Sequence, residues 1–190
     1  FCGQQDDPRH QAPQNMEART MKVTDLVAKF LAQHVKHVFG VNGGAVLHLI
    51  HSIDQQEGLT GVYPQNEQAA SFQADAYARL TGFGCALATS GPGASNLITG
   101  IATSYYDSIP VLYVTGNQSR GRMVGDSGCR QIGFQETPIV QIVRPITKYA
   151  VTVMHASEVL PSLKAAVACA KSGRPGPVLW DLPDDLGREE

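Results

Sequence analysis

Residues 85–102 read CALATSGPGASNLITGIA and contain a complete strand, turn and helix. Residues 85–89 form an apolar run without polar alternation, which is typical of a parallel strand that is buried on both faces. The SGPG that follows predicts a turn, and the pattern from residue 93 to residue 106 predicts a helix. A buried strand that leads through a glycine turn into a helix is the repeating unit of an α/β sheet.

The same alternation runs along most of the chain. Strands are predicted at residues 37–41, 59–63, 85–89, 111–115, 149–153 and 178–181. The first helix is predicted to begin with Thr24 as its N-cap. Further helices are predicted at residues 45–53, 67–80, 93–106, 138–142 and 157–172. Because right-handed crossovers join parallel strands, the pattern predicts an α/β fold: a doubly wound, mostly parallel six-stranded sheet with helices on both faces.

Composition narrows the class of protein. The chain has 190 residues, of which 43% are apolar, and 15 basic against 17 acidic residues give a net charge of -2. This balance argues against nucleic acid as a partner, and the lack of a long apolar stretch argues against a membrane span. The four cysteines (Cys2, Cys85, Cys129 and Cys169) lie far apart, which favours free thiols and a reducing, cytoplasmic compartment.

The two ends of the chain are predicted to differ from its body. Residues 1–20 lack an apolar segment and are expected to form a mobile tail or a remnant of the expressed sequence. Residues 21–183 are expected to form one domain. Residues 184–190 are expected to begin a linker to a further domain.

Polar and glycine-rich segments follow the predicted strands, where the ligand site of such a sheet lies. They are VNGGA at 41–45, QNEQ at 65–68, TSGPGASN at 89–96 and GFQETP at 133–138. Glycines at these positions allow the backbone to approach a ligand closely. A tight turn between strand and helix is the alternative explanation for the glycines of VNGGA and of SGPG. None matches the glycine patterns of dinucleotide or Walker phosphate loops.

Glu67 opens the helix predicted at 67–80. The small residues Ala69, Ala70 and Ala74 follow it, so its carboxylate is expected near the sheet edge. Two readings stay open from the residues alone. A first-turn glutamate can simply be favoured by the helix dipole, whereas a buried one could hold a proton near neutrality.

Six ordered motifs together resemble one family. They are QNEQAASFQADAYARLTG, ATSGPGASNLITGIA, DSIPVLYVTGNQ, FQETPIV, PITKYAV and SGRPGPVLWDLP. They resemble the N-terminal pyrimidine-binding (PYR) domain of thiamine-diphosphate-dependent enzymes, and acetolactate synthase (acetohydroxyacid synthase) most of all. The resemblance extends from about residue 22 to residue 183.

The resemblance implies a function in the decarboxylation and carboligation of 2-oxo acids, with thiamine diphosphate as the electron sink. In the family a glutamate of this domain bonds N1′ of the aminopyrimidine and so promotes removal of the C2 proton, and Glu67 matches it. The implied cofactor-binding residues are Val41, Asn42, Gly43, Gly44, Glu67, Pro92, Asn96 and Gln135. The implied substrate residues are Gly44, Ala45, Phe134, Gln135 and Lys148.

The chain departs from the family pattern at three places. Asn66 stands where acetolactate synthases usually carry histidine before the glutamate, and the segment between Gly116 and Phe134 is longer than theirs. The diphosphate motif GDG…NN is absent, since residues 125–127 read GDS. The resemblance therefore implies that a diphosphate-binding domain of the same or another chain supplies the Mg²⁺ ligands.

The resemblance implies a homodimer or homotetramer. It leaves open whether the intact enzyme binds FAD. The alternative is a non-catalytic or stand-alone PYR-type subunit that serves as a dimerisation or interaction module.

Overall fold

A computed structural model describes residues 21–190 and shows one all-parallel sheet. Its strands are β1 (His37–Gly40), β2 (Thr60–Val62), β3 (Gly84–Ala88), β4 (Val111–Asn117), β5 (Tyr149–Thr152) and β6 (Val178–Pro183). They are ordered β2-β1-β3-β4-β6-β5, and every pairing is parallel. The predicted doubly wound, six-stranded sheet is confirmed.

Helices connect the strands. They are α1 (Val23–Ala32), α2 (Leu47–Gln55), α3 (Glu67–Thr81), α4 (Pro92–Asn96), α5 (Ile98–Asp107), α6 (Ile139–Val143), α7 (Ala156–Lys171) and α8 (Asp184–Gly187). Short 3₁₀ turns occur at Gly44–Val46, Arg120–Arg122 and Arg144–Ile146. The helix predicted at 45–53 thus begins with a 3₁₀ turn, and the one predicted at 93–106 is divided at Leu97.

The N-cap prediction for α1 is wrong. Lys22 occupies the N-cap position, and Thr24 lies inside the first turn. The hydroxyl of Thr24 is buried and accepts a hydrogen bond of 2.9 Å from Ser52 on α2. Thr24 therefore bonds to a neighbouring helix instead of capping its own.

Each face of the sheet carries its own core. Cys85 and Leu87 of β3 pack in a cluster with α1, α2 and α7, whereas Ala86 and Ala88 pack on the opposite face with α3, α5 and α6. Burial on both faces explains why the inner strands show no apolar–polar alternation.

Small residues bring α3 close to the sheet. Ala74 and Ala78 are buried, and a Cβ on Gly84 would lie 2.2 Å from the carbonyl oxygen of Ala74. Because no side chain separates the two backbones, α3 lies close against β3, and since α3 follows β2 along the chain, it begins at the carboxyl edge of the sheet. Glu67, its first residue, lies at that edge.

Residues 184–190, expected to begin a linker, are packed on the domain. Leu186 of α8 is fully buried, and the backbone N–H of Val23 donates to the carbonyl of Glu189. Arg120 also forms ion pairs with Asp185 and Glu189. The ordered body of the domain thus extends beyond Pro183.

Three of the four cysteines lie within residues 21–190. Cys85, Cys129 and Cys169 are free thiols, as predicted, while Cys2 lies outside the described residues. The tail predicted at 1–20 also lies outside them. Within residues 21–190, no helix has the length and apolar character needed to cross a membrane.

Candidate functional site

Three chain segments meet at the carboxyl edge of the sheet. Residues 41–45 follow β1, Glu67 comes shortly after β2, and residues 89–96 follow β3. Since β2, β1 and β3 are adjacent and parallel, their carboxyl ends lie side by side. The segments predicted to bind the aminopyrimidine therefore converge.

Glu67 and Asn96 form the polar centre of this edge. Asn96, the last residue of α4, donates a hydrogen bond of 2.9 Å from Nδ2 to Oε2 of Glu67. The Glu67 side chain is half-buried, and its carboxylate stands at the N-terminus of α3, where the helix dipole favours negative charge. Among the residues that the structure describes, no other group donates to this carboxylate, so Oε1 is free to bond a ligand.

Thr89 holds two of the glycine segments together. Its Oγ1 accepts a hydrogen bond of 3.3 Å from the N–H of Ala45. A Cβ on Gly43 would lie 2.4 Å from Cβ of Thr89, and one on Gly93 would lie 2.8 Å from its Cγ2. Both glycines are thus required by close packing around one side chain. Thr89 was not predicted as a site residue, although it ends the quoted apolar strand.

Gly91 shapes the SGPG turn. Its φ of 63° and ψ of -121° form a combination that is open to glycine alone. A Cβ here would lie 2.3 Å from the carbonyl oxygen of Gln135. Pro92 then occupies the first position of α4, where its missing N–H costs nothing. The turn therefore places Pro92 and Asn96 at the site and brings Gln135 against it.

Gly44 borders open space at the carboxyl end of β1. A Cβ on Gly44 would meet nothing within 4 Å, and the residue itself is exposed together with Asn42. Val41 and Ala45 are half-buried beside it. An aminopyrimidine ring needs open backbone to lie against and a carboxylate oxygen to bond, and Gly44 and Oε1 of Glu67 supply these two features at this edge of the sheet.

Phe134 and Gln135 border the site from the loop that joins β4 to α6. Gln118 donates from Nε2 to the carbonyl of Phe134 at 2.6 Å and to Oγ of Ser90 at 3.2 Å. Phe134 is 75% exposed, and Gln135 has a left-handed φ of 58°. The structure thus brings both predicted substrate residues next to the SGPG turn.

Lys148 is not at this edge, and its predicted place beside the reacting carbon is corrected. It comes immediately before β5, so it lies at the amino edge of the parallel sheet. Its Nζ donates to the carbonyls of Cys169 and Ser172 at the C-terminus of α7, each at 2.5 Å. A cation is favoured at a helix C-terminus, so Lys148 stabilises α7.

A buried carboxylate at the same edge escaped the sequence analysis. Asp181 of β6 is fully buried and accepts hydrogen bonds from Thr115, Asn117 and Thr152 at 2.6–2.9 Å. Burial raises the pKa of Asp181, while these three bonds act against that shift. Asp181 lies in the apolar run 178–182, and only the sheet order β4-β6-β5 brings its three partners to it.

The chain belongs to a family of cofactor-binding domains. Residues 21–143 match the family model described as thiamine pyrophosphate enzyme, N-terminal TPP binding domain. Thiamine pyrophosphate is thiamine diphosphate, so the class inferred from the six motifs is confirmed.

Curated relatives point to one branch of that family. The chain is 40% identical over 170 residues to acetolactate synthase 2, chloroplastic, from Nicotiana tabacum, which covers 88% of the chain and 25% of that protein. It is 43% identical over 152 residues to the acetolactate synthase large subunit of Haemophilus influenzae, covering 80% and 26%. It is also 43% identical over 162 residues to the Escherichia coli acetolactate synthase isozyme 3 large subunit, covering 85% and 27%. The chain spans about a quarter of the length of these relatives.

Proposed function

We propose that this chain is the aminopyrimidine-binding half of an acetolactate synthase-like enzyme that decarboxylates and joins 2-oxo acids. The observation that carries the proposal is the pair of Glu67 and Asn96 at the carboxyl edge of the sheet. The similarity to acetolactate synthases at about 40% identity supports the reaction class.

The cofactor, when bound, supplies an acidic carbon at C2 and a ring that accepts electrons. The role of this chain is to hold and polarise the aminopyrimidine. Glu67 would hold the ring nitrogen N1′ of the bound cofactor through Oε1, while Asn96 orients the carboxylate through Oε2. Val41, Asn42, Gly43, Gly44, Pro92 and Gln135 form the surrounding surface.

Asn96 limits rotation of the carboxylate. A hydrogen bond to one oxygen holds the side chain in one orientation before the ring arrives, so less conformational entropy is lost on binding. Such an oriented carboxylate can take part in proton movement at N1′.

The residues that border the aminopyrimidine site would recognise the reacting 2-oxo acids. Gly44 and Ala45 follow β1, and Phe134 and Gln135 lie on a loop that Gln118 bonds to the SGPG turn. Loops in this position commonly carry specificity. The exposed ring of Phe134 can contact an apolar acceptor side chain, and the Gln135 amide can bond its carboxylate.

The remaining parts of the enzyme are assigned to other regions. A diphosphate-binding domain of the same or another chain supplies the Mg²⁺ ligands, since Mg²⁺ is held by carboxylates together with substrate phosphates. A homodimer or homotetramer would bring the two halves together. FAD in the intact enzyme and a cytoplasmic location stay predictions.

The alternative is a PYR-type subunit that only mediates assembly. Such a module needs no carboxylate that is oriented by a hydrogen bond and keeps one oxygen free, so Glu67 and Asn96 favour the catalytic proposal. Assay of the protein with a diphosphate-binding domain, on one polypeptide or added in trans, decides between them. Release of CO₂ from a 2-oxo acid that depends on thiamine diphosphate supports catalysis, and assembly without any turnover supports the interaction module.

A further inference from the structure

Gln118 links the end of β4 to two other segments. Its Nε2 donates to the carbonyl of Phe134 and to Oγ of Ser90, which is buried at the start of the SGPG turn. A Cβ on Gly133 would lie 2.4 Å from Cγ of Gln118, so the loop also packs directly on this side chain. Gln118 therefore connects the loop that carries Phe134 to the SGPG turn of the candidate site.

Glu136 holds the loop from its far end. Its Oε1 accepts from the N–H of Val124 at 2.6 Å, and Oε2 lies 3.4 Å from the N–H groups of Ile132 and Gly133. Hydrogen bonds to an ionised acceptor are stronger than neutral ones. A single carboxylate thus joins both arms of the 118–136 loop just after Phe134 and Gln135.

The contacts of Gln118 and Glu136 fix a part of the loop that lies outside the hydrophobic core. Phe134 is 75% exposed, so burial of its ring does not fix the loop. Gln135 has a left-handed φ of 58°, which costs free energy for a residue with a side chain. Such a conformation persists only where surrounding contacts enforce it, and it is common at ligand sites.

We propose that Gln118 and Glu136 are positioning residues that set acceptor preference by holding the loop at Phe134 and Gln135 next to the SGPG turn. The proposal rests on the function proposed above. Neither side chain needs to touch the cofactor. The two act through the backbone of the loop, so loosening it alters which 2-oxo acid is accepted more than whether the C2 proton is removed.

Two isosteric variants test the proposal in the protein assayed with its diphosphate-binding domain. Glu136→Gln replaces an acceptor oxygen with an NH₂ group, and Gln118→Glu removes both donated hydrogen bonds. Glu57→Gln and Gln55→Glu make the same chemical changes at exposed positions near the end of α2 and serve as controls. Circular dichroism checks the fold, and Glu136→Gln carries the test alone if Gln118→Glu does not fold.

Three quantities are measured: amide hydrogen exchange across residues 124–136, the product ratio from two competing 2-oxo acids, and C2 proton exchange of bound cofactor. We expect loop exchange about tenfold faster, a product ratio changed at least about threefold, and C2 exchange within about threefold of the unsubstituted protein. The controls should change none of these.

An unchanged product ratio in a loosened loop overturns the proposal, as does unchanged loop exchange in both variants. Failure of the proposed function gives a different pattern. In that case the unsubstituted protein turns over no 2-oxo acid, and the proposed role of Gln118 and Glu136 in acceptor choice is overturned as well. Loop exchange measured in the same samples still reports whether Gln118 and Glu136 fix the loop.

Discussion

Asn96 at the end of α4 donates a hydrogen bond of 2.9 Å to the Glu67 carboxylate at the start of α3. The two residues are 29 positions apart, and each stands at the carboxyl edge of the sheet after a different strand. The bond occupies Oε2 and leaves Oε1 for the ring nitrogen of a cofactor. The predictions about Glu67 and Asn96 follow from this arrangement.

Glu67→Gln should abolish C2 deprotonation and leave the fold intact. Glutamine keeps the shape of the side chain but cannot exchange a proton at N1′, and such groups contribute about 10²–10⁴-fold to rate. The measurement is C2 proton exchange of bound cofactor in the two-domain form, with circular dichroism as the control for folding. Exchange at the unsubstituted rate would remove Glu67 from the mechanism.

Asn96→Ala should slow C2 exchange about tenfold. It removes the donor to Oε2, and a hydrogen bond to a charged group contributes about 1.5–3 kcal/mol, less at a partly exposed position. Thr99→Ala, at an exposed position on α5, is the matched control. Equal rates in both variants would show that Asn96 does not orient the carboxylate.

Replacement of Phe134 and Gln135 should change acceptor choice. Because both residues stand on a loop at the rim of the site, we expect a changed product ratio from competing 2-oxo acids at nearly constant C2 exchange. Product analysis by chromatography measures the ratio. Collapse of C2 exchange with the ratio unchanged would assign the two residues to cofactor binding instead.

Asp181 should make stability depend on pH. Its pKa in the folded chain is raised above the ordinary value of 3.8, chiefly by burial, so the folded state binds this proton more tightly than the unfolded state does. Its contribution to stability is therefore complete below pH 3.8 and is lost as pH rises through the folded-state pKa.

Urea unfolding between pH 4 and pH 8 tests this dependence. Asp181→Asn should remove the part of the decline that Asp181 causes, whereas Asp126→Asn, at an exposed loop position, should keep it. Identical pH slopes for Asp181→Asn and the unsubstituted chain would mean that Asp181 does not titrate differently on folding.

The chain of residues 1–190 alone should fold, bind thiamine diphosphate weakly and turn over no 2-oxo acid. Contacts to an aminopyrimidine contribute about 0.5–1.5 kcal/mol per hydrogen bond, which cannot replace a metal-bridged diphosphate. The chain should also self-associate, since symmetric pairing is the commonest form of oligomer.

Calorimetric titration with Mg²⁺ and thiamine diphosphate measures the affinity, and sedimentation measures association. Magnesium-dependent binding in the low micromolar range would reveal a diphosphate site within this chain.

The sequence predicted the features that depend on neighbours along the chain. Periodicity and glycines located all six strands and most helix boundaries, including the end of α3 at Gly82, because these follow from local backbone preferences. The strand ends then indicated which segments meet, and residues 41–45, Glu67, Pro92, Asn96, Phe134 and Gln135 do lie at one edge.

Only the tertiary structure decided the contacts between distant segments. It placed Lys148 at the amino edge, put Thr89 between two glycine segments and surrounded Asp181 with three side chains from two neighbouring strands. Residues of that kind carry no local signal, because their partners are set by the order in which strands pair, and that order depends on packing across the whole sheet.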